Sequence, residues 1–336
     1  MNEKFLDFVR KYSTQRVAVA VSGGVDSICL LHWLVEQKMD IVALHVHHHL
    51  RAVADIEAAH VAHVCAELGV PCHTFHWDEK KPSTGIEVAA RNARYKFMTD
   101  FCHENNIDVL MVAHQADDQI ETFLMNLARG SGVVGLAGMQ AESYRDGIKI
   151  ARPLLGVFRR ELVQYCDENN IKYFNDEMNF DDKYTRVKIR QNRHLLADKL
   201  GISDDRILLA IDNLGRARDA LENDVGARVK SVIYDGYALF TDSFLFDVPC
   251  HIGLKLLGML IQTIGGDEYQ PRLNSLNFAL SKLHTDCKFT LGHCAIRRFK
   301  DQILIVPEGE KTSIRKKNEK IKRLHKKQIN KQTKSS

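Results

Sequence analysis

The sequence has no apolar run approaching the roughly 18–20 residues that span a bilayer. Its first four residues mix charges of both signs, and they do not lead into the long apolar stretch of a signal peptide. No two of the eight cysteines form a Cys-x-x-Cys pair, and several lie in apolar runs, as reduced core residues do. These absences predict a cytoplasmic protein that has no membrane partner.

The chain lacks a net positive charge except at its end. Residues 311–336 hold eleven Lys or Arg and one Glu, a net charge of +10, whereas the rest of the chain carries −6. This segment has no aromatic residue and no clear apolar period, which predicts a disordered basic tail over 308–336. Such a tail either attracts the phosphate backbone of a nucleic acid or only adds solubility.

The length of 336 residues suits about two domains. Over residues 1–150, short apolar runs alternate with helical patterns, which predicts βαβ units. The predicted strands cover 17–21, 41–47, 72–76, 108–113 and 148–151, and the predicted helices cover 27–37, 55–68, 87–104 and 117–128. We therefore predict an α/β fold with a doubly wound, mostly parallel sheet, whose ligands bind beyond the carboxyl ends of the strands.

A smaller α+β domain is predicted to follow. Residues 152–200 are mostly helical in pattern, and a long charged helix is predicted over 204–230. Beyond it, the predicted strands cover 232–234, 237–241, 244–247, 288–291, 294–299 and 302–306, and the predicted helices cover 251–264 and 271–283. The predicted domains are 1–215 and 216–307, with the tail over 308–336.

The most informative segment is Ser22-Gly23-Gly24-Val25-Asp26-Ser27, which joins a β-branched strand to a helix. Two glycines let the backbone turn sharply, and the first N–H groups of the helix then point into the bend. Backbone donors and the helix dipole both favour anions there, which indicates a site for a phosphate chain. The loop lacks the Lys of a Gly-x-x-x-x-Gly-Lys-Ser/Thr motif, so it is not the usual kinase or GTPase loop. A strand–turn–helix with serine caps is the simpler alternative.

Histidine is concentrated at the end of the second predicted strand, in His45-Val46-His47-His48-His49-Leu50-Arg51. Strand alternation places His45, His47 and His49 on one face. Three imidazoles can bind a metal, but no ligand spacing typical of zinc is present. We therefore favour a strand end that lines a base or a ribose, with Arg51 available for phosphate.

Two pairs of arginines lie at helical spacing, Arg91 with Arg94 and Arg186 with Arg190. Each pair shares one face of its predicted helix. Guanidinium groups beside a phosphate loop can hold phosphate oxygens or stabilise developing charge. Ordinary surface pairs, such as Arg91 and Arg94 matched with Glu87, are the alternative.

Acidic residues open the helix after the fourth predicted strand, in Ala113-His114-Gln115-Ala116-Asp117-Asp118-Gln119-Ile120-Glu121-Thr122. Asp118 and Glu121 lie opposite the apolar face of this helix. A carboxylate pair at the sheet edge can hold an ammonium group or a magnesium ion, with His114 as an orienting group or a base. First-turn acids that favour the helix dipole are the alternative.

The same helix is followed by Arg129-Gly130-Ser131-Gly132-Val133-Val134-Gly135, which contains a literal Gly-x-Gly-x-x-Gly. Because this segment follows a helix rather than a strand, it does not fit a dinucleotide fingerprint. We predict a flexible glycine loop beside the ligand.

Taken together, these segments resemble the tRNA(Ile)-lysidine synthetase family of PP-loop ATP pyrophosphatases. The matching segments are Ser22–Ser27, His45–Arg51, Ala90–Tyr95, Ala113–Thr122, Arg129–Met139, Arg152–Leu155 and Asp176–Arg190. A further match runs from Tyr269 to Phe299, so the resemblance covers most of 1–307. The chain departs from the family pattern at Gln115, where a second histidine is common, and at Val187, where asparagine is common.

The resemblance implies an enzyme that uses ATP to adenylate C2 of the wobble cytidine in a CAU-anticodon isoleucine tRNA, with loss of pyrophosphate. The ε-amine of free L-lysine then displaces AMP. By position, Ser22–Ser27 and His45 bind ATP, and Asp26 lies near its Mg²⁺. The implied catalytic residues are Asp26, Arg91, Asp118 and Glu121, of which the last two orient lysine. The implied substrate-binding residues are Arg51, Arg94, His114, Arg129, Arg186 and Arg190.

On this resemblance, 1–215 is the catalytic domain and 216–307 binds tRNA, and a homodimer is left open. Two alternatives remain. A tRNA thiolase of the same ATPase group needs a reactive cysteine or a Cys-x-x-Cys pair, and neither is apparent. A non-catalytic nucleotide- or RNA-binding module needs no ammonium site, so the pair of Asp118 and Glu121 argues against it.

Overall fold

The structure is a computed structural model, and it describes residues 2–49, 53–79, 81–82, 84–174, 185–267, 269–285, 288–299 and 301–309. The described chain divides into two compact units between Arg218 and Asp219. Across these residues, no helix combines the length and the apolar character that a membrane span needs.

A six-stranded sheet forms the centre of the first unit. Its strands are β1 (Val17–Ala20), β2 (Ile41–His47), β3 (Cys72–His76), β4 (Val109–Met111), β5 (Glu142–Arg145) and β6 (Ile148–Ala151). They lie in the order β3-β2-β1-β4-β6-β5, and only β5 runs antiparallel to its neighbour. The predicted α/β fold with a mostly parallel sheet is confirmed. The sequence did not predict β5, because its polar residues lack an apolar alternation.

Helices cover both faces of this sheet. They are α1 (Glu3–Arg10), α2 (Val25–Glu36), α3 (Ala54–Glu67), α4 (Ile86–Glu104), α5 (Ala116–Ala128), α6 (Val133–Leu136), α7 (Arg159–Glu168), α8 (Thr185–Asn192) and α9 (His194–Leu200). Because side chains alternate along a strand, Val17 and Val19 join the core built by α1, α2, α3 and α7. Ala18 faces the opposite side, in the core to which α4 contributes Tyr95 and Met98.

The order of the strands creates a ligand site. From β1 the chain continues to β2 and β3 on one side, and it later returns to β4 on the other side of β1. The connections that leave β1 and β4 therefore diverge, and such a switch point is where open α/β sheets bind ligands. The bend Ser22–Ser27 leaves β1, and the start of α5 follows β4, so both lie at this edge.

The second unit contains an antiparallel sheet with helices. The helix α10 (Asp204–Val232) includes the boundary between the units. The strands are β7 (Ile233–Tyr234), β8 (Tyr237–Thr241), β9 (Lys288–Leu291), β10 (Cys294–Phe299) and β11 (Gln302–Pro307), and the later helices are α11 (Ser243–Phe246), α12 (Cys250–Gly265) and α13 (Leu273–Lys282). The predicted strand over 244–247 is wrong. The N–H of Phe246 donates to the carbonyl of Asp242 at 3.0 Å, which closes a helical turn, and Leu245 enters the core with α12.

Candidate active site at the carboxyl edge of the parallel sheet

The segment Ser22–Ser27 forms a tight bend that is closed by its own serines. The N–H of Ser22 donates to Oγ of Ser27 at 3.1 Å, and that Oγ donates to the carbonyl of Gly24 at 3.0 Å. Gly23 has φ of +91°, which L side chains rarely adopt, and a Cβ there would lie 3.4 Å from Cγ2 of Val61. Since the first N–H groups of α2 have no acceptor within the helix, they are available to an anion.

Asp26 lies in the first turn of α2, and nearby positive charge only partly compensates its carboxylate. Its Oδ2 is 3.4 Å from Nη1 of Arg159 on α7, whereas its buried Oδ1 has no hydrogen-bond partner among the described residues. Burial raises the pKa of Asp26 to about 6, Arg159 opposes this, and the negative charges of Asp118 and Asp117 add to it. A buried carboxylate with one oxygen that lacks a hydrogen-bond partner is a suitable ligand for a divalent cation, which fits the predicted place of Mg²⁺.

Asp117 and Asp118 open α5 and anchor its first turn. The N–H of Gln115 donates to Oδ2 of Asp118 at 3.1 Å, which forms a capping box. Asp117 accepts the N–H of Arg159 at 2.8 Å and pairs with Arg193. Burial raises the pKa of Asp118 although arginines oppose it. The helix-capping alternative is therefore part of the structure, and it coexists with a buried acidic cluster beside Asp26.

Glu121 is fully buried, and two arginines of α8 converge on it. Nε of Arg190 is 2.7 Å from its Oε1, and Nε of Arg186 is 3.5 Å from its Oε2. Burial raises the pKa of Glu121, and the hydrogen bond and charge of Arg190 oppose the rise. The predicted pair Arg186 and Arg190 thus shares a face that meets the predicted pair Asp118 and Glu121, and the four residues are brought together.

Arg91 and Arg94 surround an aromatic ring with a third arginine. The guanidinium carbons of Arg91, Arg94 and Arg145 lie 5.1, 5.9 and 4.5 Å from the ring centroid of Tyr95. Burial lowers the pKa of Arg94, and its neighbours Arg91 and Arg145 add to that effect. Such a concentration of guanidinium groups favours the binding of an anion.

His114 lies next to this positive cluster. Its Nδ1 is buried and has no hydrogen-bond partner in the described part of the chain. Burial lowers the pKa of His114 to about 3, and the charges of Arg152, Arg91 and Arg94 contribute. The imidazole is therefore neutral at physiological pH.

The remaining predicted residues have fewer contacts with the other residues of the candidate site. His45 is buried at the end of β2, and its Nδ1 lies 2.8 Å from the carbonyl of Val21 at the start of the bend. Arg129 is exposed at the end of α5, and in the described residues its side chain has no hydrogen bond or ion pair to the other predicted site residues. Arg51, and residues 175–184 of the predicted segment Asp176–Arg190, lie outside the described residues.

Three residues contribute to the candidate site although the sequence analysis did not propose them: Asp117, Arg159 and Arg193. A cavity of about 580 Å³ runs along α7 and is lined by Gln115, Asp117, Arg159 and Arg190, among others, whereas the bend, Asp118 and Glu121 do not line it. Arg159 contacts Asp26, and Arg193 pairs with Asp117. The sequence did carry a signal for Asp117, because it is adjacent to Asp118. Arg159 and Arg193 carry no local signal, because only the fold brings them to their partners.

The fold and the bend define a protein of the PP-loop class, and residues 1–195 match the family model for a PP-loop domain. Curated relatives cover more of the chain. A tRNA(Ile)-lysidine synthase of Wolbachia pipientis wMel is 36% identical over 312 residues, which cover 89% of this chain and 72% of that protein. One of Ruegeria pomeroyi is 37% identical over 288 residues, which cover 84% and 68%. The chain belongs to the tRNA(Ile)-lysidine synthase family, and the resemblance found in the sequence is confirmed.

A solved structure supports the fold. The U34-tRNA thiolase NcsA from Methanococcus maripaludis, solved with its [4Fe-4S] cluster, superimposes with a TM-score of 0.55. The aligned region covers 64% of this chain and 77% of that one at 17% identity, so the likeness concerns the fold alone.

Proposed function

We propose that the protein ligates L-lysine to C2 of the wobble cytidine of a CAU-anticodon isoleucine tRNA, at the cost of one ATP. The observation that carries this proposal is a single sheet edge with two features. One is the glycine bend Ser22–Ser27, whose backbone N–H groups can bind phosphate. The other is the first turn of α5 with Asp117 and Asp118, called the acidic turn below, whose Asp118 is close enough to raise the pKa of Asp26. Membership of the tRNA(Ile)-lysidine synthase family supports the same function.

In the first step, the N–H groups of the bend and of the start of α2 bind the triphosphate. Mg²⁺ bound to ATP would be held by Asp26, whose buried Oδ1 lacks a hydrogen-bond partner among the described residues, and it would neutralise charge on the departing pyrophosphate. The O2 atom of the cytidine attacks the α-phosphate, and pyrophosphate leaves. Arg91 and Arg94, which surround the ring of Tyr95, would bind the negative charge of the RNA or the nucleotide.

In the second step, the ε-amine of lysine attacks C2, and AMP leaves with the former O2 atom. The amine must first lose a proton, and a buried carboxylate of raised pKa can accept it. Asp118 has that property and lies in the acidic turn. In this structure Glu121 pairs with Arg190 and Arg186, so it would contribute to lysine binding by positioning these two arginines.

The described cysteines do not favour a thiolase. The Cys29 and Cys166 thiols hydrogen-bond each other, and this bond and burial raise the pKa of Cys29. The Cys65 and Cys72 thiols also hydrogen-bond each other, and this bond and burial raise the pKa of Cys65. A thiolate nucleophile needs a lowered pKa and access to solvent. The same bonds lower the pKa of the partners Cys166 and Cys72, but Cys166 is fully buried and Cys72 packs against the core built by α1, α2, α3 and α7. Both pairs are therefore core packing and do not favour sulfur chemistry.

The test is to incubate the full chain with ATP, labelled lysine and a CAU-anticodon isoleucine tRNA transcript. We expect label in the RNA, together with AMP and pyrophosphate. The matched control is the same transcript with uridine at the wobble position, which should accept no label. Transfer of labelled sulfur without labelled lysine would establish the thiolase, and nucleotide binding without turnover would establish a binding module.

The remaining assignments are part of the same proposal. The second unit would bind tRNA, and the basic segment 311–336 would add non-specific attraction to the phosphate backbone. A cytoplasmic location remains a prediction, and the homodimer remains open.

A further inference from the structure

Three histidines form a cluster at the carboxyl ends of β2 and β3, beyond the residues used in the proposed reaction. One ring nitrogen each of His47, His49 and His76 lies within 4.8 Å of the other two. The ring centroids of His47 and His49 are 3.9 Å apart, and Nε2 of His49 is 3.0 Å from Nδ1 of His76. Among the described residues, this is the one group of at least three potential ligand side chains at such distances.

The sheet builds this cluster from its strand register. His47 of β2 is directly paired with His76 of β3 in the parallel ladder, so their side chains leave the sheet on the same face. His49 lies two residues beyond the end of β2 with φ of +50°, and there its ring lies beside that of His47. The sequence had suggested His45 as the third member, but His45 meets the carbonyl of Val21, and His76 takes the place beside His47 and His49.

The ring nitrogens are incompletely used by the protein. Nε2 of the buried His47 lies 3.0 Å from Oδ1 of Asp55 but forms no hydrogen bond of acceptable geometry within the described residues. Nε2 of His49 is 3.4 Å from Oδ1 of Asp78. Two carboxylates thus adjoin three imidazoles, which is the composition of a His-rich zinc site with a carboxylate as fourth ligand or as support for an imidazole.

We propose that His47, His49 and His76 bind one divalent transition-metal ion of the zinc class, with Asp55 or Asp78 completing the site. Zn–N bonds of about 2.0–2.1 Å place the nitrogens of a tetrahedral site roughly 3.4 Å apart, so small side-chain rotations suffice. Imidazole ligands select Zn²⁺, Co²⁺ or Ni²⁺ over the Mg²⁺ that accompanies ATP. The ion would tie the end of β2 to the end of β3 beside the bend that holds ATP.

The ammonium of Lys81 lies close to the cluster but does not occupy the proposed site. Nζ of Lys81 donates to the carbonyl of His49 at 2.8 Å and lies 5.7 Å from the ring centroid of Trp77. The ammonium is therefore held by the backbone and by an aromatic face, and the two carboxylates more than balance its charge.

The test uses the full chain without a histidine tag, stripped of metal and free of ATP and tRNA. Co²⁺ is added while the visible absorption spectrum is recorded, and Zn²⁺ is then titrated against a chromophoric chelator. We expect one equivalent of Co²⁺ to give the intense bands of a four-coordinate site, and Zn²⁺ to abolish them. A tenfold excess of Mg²⁺ should leave the spectrum unchanged.

Variants identify the ligands. Replacing His49 or His76 with Asn should weaken Zn²⁺ binding by at least about 100-fold and remove the Co²⁺ bands. His63→Asn is the matched control, because His63 is an exposed histidine of α3 that contacts Glu67, and it should bind metal like the original chain. Both ligand positions are far more exposed than His47, and thermal unfolding without metal checks that each variant is folded. Equal Zn²⁺ affinity in the original chain and the His49→Asn and His76→Asn variants would overturn the proposal, whatever the lysidine assay shows.

Discussion

Replacing Asp26 with Asn should stabilise the folded protein while it removes ATP-dependent modification. Asp26 has a raised pKa of about 6 in the folded chain against 3.8 for the free side chain. The folded state therefore binds this proton more tightly than the unfolded chain does. It follows that the ionised carboxylate destabilises the fold above pH 6, and that the penalty disappears below about pH 4.

The size of the effect follows from the same values. One pKa unit corresponds to about 1.4 kcal/mol, so a rise from 3.8 to about 6 corresponds to about 3 kcal/mol at neutral pH. Asn has nearly the same shape as Asp and no charge, so Asp26→Asn should recover up to about 3 kcal/mol at pH 7.5. At pH 5 the gain should be about half as large, because Asp26 is then mostly protonated in the folded state but mostly ionised in the unfolded chain.

Urea unfolding followed by tryptophan fluorescence measures this effect. Both tryptophans of the chain, Trp33 and Trp77, lie in the same unit as Asp26, so their signal reports the unit that contains the change. Asp7→Asn is the matched control, because Asp7 is an exposed residue of α1 and its loss should change stability by less than about 0.5 kcal/mol. A variant Asp26→Asn no more stable than the original chain, or a gain that is equal at pH 5 and pH 7.5, would refute the reasoning.

Three further changes test the proposed site. Glu121→Gln should raise the KM for lysine far more than the KM for ATP, because it disturbs Arg190 of α8 beside the acidic start of α5 and leaves the bend intact, and an unchanged lysine requirement would contradict this role. Gly23→Ala should cost about 1–2 kcal/mol and abolish ATP–pyrophosphate turnover, since φ is +91° there, whereas Gly226→Ala in open space should retain turnover. Deletion of 311–336 should lower tRNA affinity and flatten its dependence on salt, and equal salt slopes for both chains would exclude a role for the tail in binding.

The parallel sheet could be predicted from the sequence because its strands are short apolar runs separated by helical patterns. The strand β2 is buried along its whole length, as a central parallel strand should be. The apolar periodicity predicted the wrong element where the apolar run was short. Phe244-Leu245-Phe246 suits a strand or a helical turn equally, and its packing against α12 selected the turn.

The candidate site was predictable in its chain-local parts and not in its long-range contacts. The bend and the acidic turn each have a recognisable motif, and the rule for switch points in α/β sheets places them at one edge. Arg159 lies 133 residues from Asp26, and Arg193 lies 76 residues from Asp117. No periodicity relates residues so far apart, so only the packing of α7 against α2 and of α8 against α5 identifies them as partners.

The candidate site contains two groups of side chains that differ in charge. In the first group, Asp26 and Asp118 are carboxylates of raised pKa, which suits a metal ion or an ammonium group. In the second group, His114 has a pKa of about 3, because it is buried and because Arg152 and Arg91 supply positive charge around it. A neutral imidazole adds no charge there but still offers hydrogen bonds. The arginines therefore favour an anionic group and the carboxylates a cationic one, which matches the charges of the proposed substrates, an RNA phosphate and the amine of lysine.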